Sequence, residues 1–338
     1  MHLSPYQKYF VKKTQWYALT LVVAVTLNFF LPRMIEGNPV DLVVSQVMGG
    51  MADSDSTKAV YEQFVRQFGL DKPLIVQFFI YIGNLFKGEM GVSIGQHPRT
   101  VDEILGTSIW WTIGLQLPAI LTGWFIGNIL GALAAYKKGI FDKSFFPLSI
   151  FISSIPVFSL SIILLYQVCL QWGWFPIAGG YGYDLIPSWS FSFVASVFRH
   201  YQMPFLSIVL VAIGGQAIGM RSMSIYELNE DYVLYSKLMG IRDSKISRYI
   251  FRNAVLPQVT GLALSLGRMV AGALITEIVF TYPGIGTWLF TAIRTLDYPL
   301  ISGCTLLICL TVLIANFLIE IIYGLIDPRV KVAQQEEG

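Results

Sequence analysis

Apolar residues in this chain fall into long uncharged runs. No Asp, Glu, Lys or Arg occurs over residues 104–136, 144–183, 200–220 or 298–319. A helix that crosses a bilayer needs about 20 mostly apolar residues. Each run meets that length, and the second also takes in a loop beyond Trp172. An earlier run, Trp16 to Leu31, follows Lys8, Lys12 and Lys13 and ends in FFLPRMIEGN, without a small-residue cleavage pattern. It predicts a retained, start-transfer first helix. A further candidate covers residues 259–281, interrupted by Arg268 and Glu277. The pattern predicts an all-α polytopic membrane protein with six transmembrane helices.

Between the first two spans the pattern changes. Val60, Phe64 and Phe68 recur at helical spacing before Gly69, and Leu74, Phe78, Phe79, Ile82 and Phe86 form a second stripe. Residues 33–107 therefore read as an extracytoplasmic amphipathic insertion that caps the bundle, with docking of an external partner as an addition. The remaining divisions are a cytoplasmic N-terminus with the first span (1–32), a five-helix core (108–326) that includes a loop at 221–258, and a cytoplasmic tail (327–338).

Basic residues orient the spans. With the N-terminus inside, Lys137, Lys138, Lys143, Arg221, Lys237, Arg242, Lys245, Arg248, Arg252, Arg329 and Lys331 fall on the cytoplasmic side. Arg199 and Arg294 are the chief outer exceptions, so the positive-inside rule places both termini in the cytoplasm.

Composition agrees. Of 338 residues, 54% are hydrophobic and 13% charged, against about 25% charged in soluble domains. A net charge of +2 gives no reason to expect nucleic acid. Cys169, Cys304 and Cys309 all lie in apolar runs and read as packing residues. Trp172, Trp174, Tyr181, Tyr183, Trp189, Tyr282 and Trp288 read as an interfacial belt. Gly127/Gly131 and Gly215/Gly219 permit close helix packing.

The loop after residue 220 is larger than a connection requires. Ser224 with Glu227 resembles a capping box, Asn229 suits an N-cap, and Glu230 and Asp231 stand where the helix dipole favours acids. Gly240 is a natural stop, Asp243 suits a second cap, and Leu256-Pro257 closes the unit. Two short helices result. They suit either an anionic lipid surface or a groove on a soluble partner.

DYVLYSKLMG (231–240) with RNAVLP (252–257) resembles the EAA loop of ABC importer permeases, in their dipeptide/oligopeptide/nickel branch. FGLDKPLIVQF (68–78), GNLFKGEMGVSI (83–94), GALAAYKKG (131–139), SIPVF (154–158), TEIVFTYPGIG (276–286), LDYPL (296–300) and LIDPR (325–329) extend the resemblance over nearly the whole chain. It implies a type I ABC importer permease fold. It also implies a second homologous permease subunit, one or two ABC ATPase subunits holding ATP and Mg, and an extracytoplasmic substrate-binding protein. This chain has no GxxxxGK[ST] phosphate loop, so the ATPase is expected in a separate subunit and no cofactor or metal is expected in this one. The coupling residues implied are Glu230, Asp231, Tyr232, Val233, Ser236, Lys237, Gly240, Arg248, Arg252, Asn253 and Pro257. The family often has Ala at the place of Ser236 and Lys at that of Met239.

Within the spans, Arg268 and Glu277 are costly to place in lipid and become pathway candidates. Glu277 serves equally as a hydrogen-bond partner for the Pro-Gly loop that follows. Gln116 and Asn316 suit helix–helix hydrogen bonding, and Trp110 and Trp111 suit either sugar stacking or anchoring of a helix end. Gly91-Val92-Ser93-Ile94-Gly95 fits G-x-S-x-G but lacks the strand-to-helix context of a nucleophile elbow. The solute implied is a di- or oligopeptide. WWTIGL (110–115) and GMRSMSIYELNEDYV (219–233) are similar to members that import β-linked oligosaccharides. Nickel is disfavoured because His2, His97 and His200 are dispersed. An ion-coupled secondary transporter, the rival class, predicts inverted repeats and several intramembrane carboxylates.

Overall fold

The computed structural model describes residues 5–37, 39–41, 44, 54–137, 139–267 and 274–326. Its helices are α1 (Pro5–Arg33), α2 (Ser54–Gln67), α3 (Leu74–Lys87), α4 (Val101–Lys137), α5 (Ile140–Ser154), α6 (Val157–Leu164), α7 (Phe191–Leu228), α8 (Asp231–Leu238), α9 (Asp243–Gly267), α10 (Leu274–Val279), α11 (Ile285–Arg294) and α12 (Tyr298–Ile326). Among the described residues the strand-like pairing is a single bridge, Val92 with Thr100.

Among the described residues, four helices are long and apolar enough to cross a membrane: Val11–Arg33, Val101–Lys137, Phe191–Leu228 and Tyr298–Phe317. The run expected to give one straight span at 144–183 is instead two pieces bent by 96°. Pro156 causes the break. It lacks an N–H, and it forces Ile155 into an extended conformation. Beyond α6 the helix continues with π-helical spacing over Leu165–Gln171. The sixth candidate falls partly on α9 and α10, and residues 268–273, Arg268 among them, lie outside the described residues. Lys138 and the tail 327–338 lie outside them too.

The chain forms two compact units. One comprises Met1–Trp111, Pro283–Ile314 and Gly324–Gly338; the other comprises Thr112–Tyr282 and Ala315–Tyr323. In the first unit, Val101, Ile104, Leu105, Ile285, Ala292, Leu300, Ile301 and Cys304 form the core. Gly303 on α12 is required there: a Cβ would stand 2.5 Å from Val101 Cγ1. The stripe on α3 divides. Phe78 stacks on Phe30 at 5.5 Å and meets Phe29 edge-on at 5.2 Å, whereas Phe79 and Phe86 are exposed.

A buried carboxylate fastens the segment before α4. Asp297 Oδ2 accepts from the Ser93 hydroxyl and from Gly95 N–H at 2.9 Å, while Oδ1 accepts from Leu300 N–H at 3.1 Å. The preceding residue, Leu296, holds φ at +53°, which is costly for a residue with a Cβ. The Ser93 of the G-x-S-x-G stretch is thus a buried structural donor. His97 meets Phe64 and Phe68 edge-on and lies 3.1 Å from the Gln67 amide.

In the second unit, α4 and α7 touch backbone to backbone. Cβ atoms added at Gly123 and Gly127 would stand 2.5 Å from Ala212 Cβ and 2.8 Å from Ile213 O, and one at Gly131 would meet the backbone of Ala217. The partners ascend together, so the two helices run parallel. Of the four glycines expected at close contacts, Gly215 has open space and Gly219 faces the Gln258 side chain. Gly214 admits α5, whose Ser149 O would stand 2.7 Å from a Cβ there. Arg221 on α7 and Asp142 on α5 close this antiparallel contact with a forked pair at 2.6 and 2.7 Å. The guanidinium also lies 4.1 Å over the Phe146 ring. Tyr282, expected in the interfacial belt, is instead buried; Tyr183 and Trp189 are fully open.

Candidate functional site

Beyond α7 the chain builds a helical hairpin from α8 and α9. The expected capping box is absent, because α7 runs on through Ser224 to Leu228 and buries that serine. Asn229 ends α7 and gives its amide to Ile225 O at 3.0 Å, so Glu230 takes the N-cap position of α8. Asp243 is the first residue of α9, not its cap. Pro257 does not close the unit either; α9 runs through it to Gly267. An interior proline loses one intrahelical N–H bond and crowds the carbonyl four residues back, a cost of about 3 kcal/mol that the packing of α9 on either side of it must offset. The stop at Gly240 stands. Its φ is +73°, and Ile241 N–H returns to Ser236 O at 3.1 Å across it. This is the left-handed cap that glycine adopts without steric cost.

One side of α8 is pinned. Val233 packs with Ile246 and Ile250 of α9 in a core completed by Tyr136 of α4, Leu228, Tyr232 and Ile241. Glu227 Oε2 accepts from the Tyr232 hydroxyl at 2.7 Å and from the Asn253 amide at 3.2 Å, tying α7, α8 and α9 to one oxygen. Burial first, and Glu227 second, push the Tyr232 phenol up to about 12. The other side is open: Leu234, Tyr235, Leu238 and Met239 are 57–79% exposed. Asp231, Lys237, Arg248 and Arg252 also face outward, and Ser236 is half-buried. Tyr232, Tyr249, Arg252, Asn253 and Leu256 line an open groove of about 510 Å³ beside them.

Farther along α4, the structure joins two of the expected pathway residues. Gln116 Nε2 donates to Glu277 Oε1 at 3.3 Å, and both side chains are fully buried. Next to them, Ser161 and Thr276 hydroxyls stand 3.3 Å apart. The Gln116 bond joins α4 to α10, the helix–helix role expected for that residue. Trp110 is 72% exposed, Trp111 half-buried, and Asn316 half-buried on α12. Sequence reasoning missed Glu227 as the tie of the hairpin and Tyr136 as part of its core. It also missed the Asp142–Arg221 pair, for which an isolated acid opposite a basic span end was the available signal.

Comparison with known proteins assigns the family. Residues 127–332 match the binding-protein-dependent transport system inner membrane component family. A di/tripeptide transport system permease of Pseudomonas aeruginosa is 32% identical over 90% of this chain and 93% of its own length. A putative peptide permease of Brucella ovis is 34% identical over 93% and 96%, and a dipeptide transport system permease of Escherichia coli is 29% identical over 92% and 95%. Membership decides for an ATP-driven importer over an ion-coupled carrier, and for a multi-pass membrane subunit served by a separate ATPase and a substrate-binding protein. The chain belongs to the binding-protein-dependent ABC importer permeases of the dipeptide/oligopeptide family.

Proposed function

We propose that this chain forms half of a peptide translocation pathway, paired with a second homologous permease, and that α8 is the helix through which the ATPase drives it. The observation that carries the reading is the two-sidedness of α8. Its Val233 side is locked into the membrane helices, while Leu234, Tyr235, Leu238 and Met239 form an uncovered apolar face. Four adjacent exposed apolar side chains on a charged loop are the makings of an interface core. ATP and Mg sit in the partner ATPases. Tyr136 in the hairpin core puts the end of α4 beside α8, so Lys137, Lys143, Arg221, Lys237, Lys245 and Arg252 gather at one end of this unit. That supports a cytoplasmic hairpin, and Lys8, Lys12 and Lys13 before the first span, with Arg329 and Lys331 after the last, support cytoplasmic termini. The peptide permeases among the relatives support a di- or oligopeptide as solute; the phrases at 110–115 and 219–233 carry the β-oligosaccharide alternative, and the dispersed histidines speak against nickel.

Leu238→Asp with Met239→Asp tests the interface. The variant should insert in the membrane normally, lose the co-purifying ATPase and lose uptake. Wild-type ATPase recovery together with wild-type uptake would overturn the proposal. For the solute, unlabelled dipeptide should compete for uptake and a β-linked disaccharide should not.

A further inference from the structure

A cavity of about 330 Å³ in the first unit is lined by Arg33, Arg66, Lys72, Gln77, Tyr81 and Asn84, with no carboxylate among its lining residues. Arg66 is shared with Glu62 at 3.6 Å; Arg33 and Lys72 have no ion-pair partner among the described residues. Arg33 is held in place. Its guanidinium lies 3.7 Å over the Phe29 ring, donates from Nη1 to Phe29 O at 2.9 Å, and reaches Gln77 Oε1 from Nε at 3.4 Å. Both acceptors are neutral. A guanidinium has five N–H donors, so most of its donating capacity is unspent. The Tyr81 hydroxyl is buried and has no hydrogen-bond partner. A fixed cation, an orphaned hydroxyl, an amide and a second cation converge on one space, which is the donor set of an oxyanion site.

Depth selects the oxyanion. Arg33 ends the apolar span Val11–Arg33, 23 residues long. At 1.5 Å per residue such a helix is about 34 Å long, against a hydrocarbon core of about 30 Å, which sets Arg33 at the level of the phospholipid phosphates. Leu31, Met34 and the lining residue Ile80 leave apolar side chains exposed around it, where acyl chains lie. A phosphate free in solution would have no use for them. We propose that this cavity binds the phosphate of a membrane phospholipid, with anionic headgroups preferred. A choline headgroup would bring its own cation among Arg33, Arg66 and Lys72.

The test is native mass spectrometry of the complete detergent-purified transporter, incubated with phosphatidylglycerol or with phosphatidylcholine. Phosphatidylglycerol should be retained in excess, and excess inorganic phosphate should not displace it. Each cation near a membrane surface contributes roughly 1 kcal/mol, so retention should fall about fivefold per cation removed. Arg33→Gln removes the half-buried one; Arg66→Gln with Lys72→Gln removes two exposed ones and leaves folding undisturbed, and Lys245→Gln is the control. Equal retention of the two lipids, equal retention across the variants, or displacement by inorganic phosphate would each refute the site. None of these readouts involves uptake, so their failure leaves the importer reading standing.

Discussion

Replacing Tyr232 by Phe should uncouple ATP hydrolysis from uptake without releasing the ATPase. The substitution deletes a 2.7 Å hydrogen bond to Glu227 and leaves the ring in its cluster with Val233, Ile246 and Ile250. A hydrogen bond to a charged group contributes about 1.5–3 kcal/mol, and the low end applies because Glu227 is half-open to water and keeps Asn253 as a donor. A loss of about 1.4 kcal/mol shifts an equilibrium tenfold. Molecules with α8 correctly seated on α7 should fall in that proportion, less whatever the Val233 core restores. The assay is uptake per ATP hydrolysed in reconstituted vesicles, with Glu227→Met, which leaves no acceptor oxygen, and the double variant completing a cycle. The cycle should show a coupling energy of about 1 kcal/mol, since the two side chains share one bond. Unchanged uptake per ATP in Tyr232→Phe, with a coupling energy of zero, would refute the claim that this bond seats the helix. The raised phenol pKa fixes the pH dependence. The folded chain holds this proton more tightly than the unfolded one, so its contribution is complete below pH 10 and is lost as pH rises toward about 12. Uptake per ATP should therefore be indifferent to this group between about pH 7 and 9.

Gly240→Ala meets no atom within 4 Å and should cost only the strain of a left-handed alanine, about 1–2 kcal/mol by thermal unfolding. Gly131→Ala is different: its Cβ would run into the backbone of Ala217, so a loss of about 1–3 kcal/mol from overpacking should lower the melting temperature of the purified complex. Asp297→Asn removes the charge that three donors share and should destabilise the first unit by about 2–3 kcal/mol, visible as faster proteolysis around residues 91–100. Asp142→Asn should leave Arg221 without its forked partner inside the helix contact and lower the melting temperature, and Arg221→Met in the same chain should restore part of it.

Much of the hairpin was readable because its determinants are local. Gly240 must be left-handed wherever the helix ends, and of Ile246, Tyr249, Ile250 and Ala254, which helical spacing places on one face of α9, all are buried except Tyr249. Caps were read less well. Ser224 and Asn229 are good capping residues in isolation, but the apolar face of α7 continues past Ser224 to Leu228 and Asn229 ends that helix instead of starting the next; packing of Met220 against Ala132 and Ala254 outweighs a cap worth about 1 kcal/mol. The bend at Pro156 lay in plain view, yet an uncharged run conceals a break that a charge count does not see. Residues far apart in sequence gave least. Gln116 and Glu277 are separated by 161 positions and Ser93 and Asp297 by 204. Each acquires its role only when the helices between them have folded back.

The glycine seam of α4 and α7 has a mechanical consequence. A lone helix loaded at one end flexes and dissipates the displacement along its length. Two helices in backbone contact from Gly123 to Gly131 behave as a laminated beam, in which bending one requires shearing it against the other. Rotamers cannot absorb that shear, because at Gly123, Gly127 and Gly131 the neighbours are Cα, Cβ and carbonyl atoms of Ala212, Ile213 and Ala217. If α8 drives the pair as proposed, a push delivered at Leu228 would be carried along the seam of some 12 Å with little lost to bending. The stiffness of the seam is set by three missing side chains.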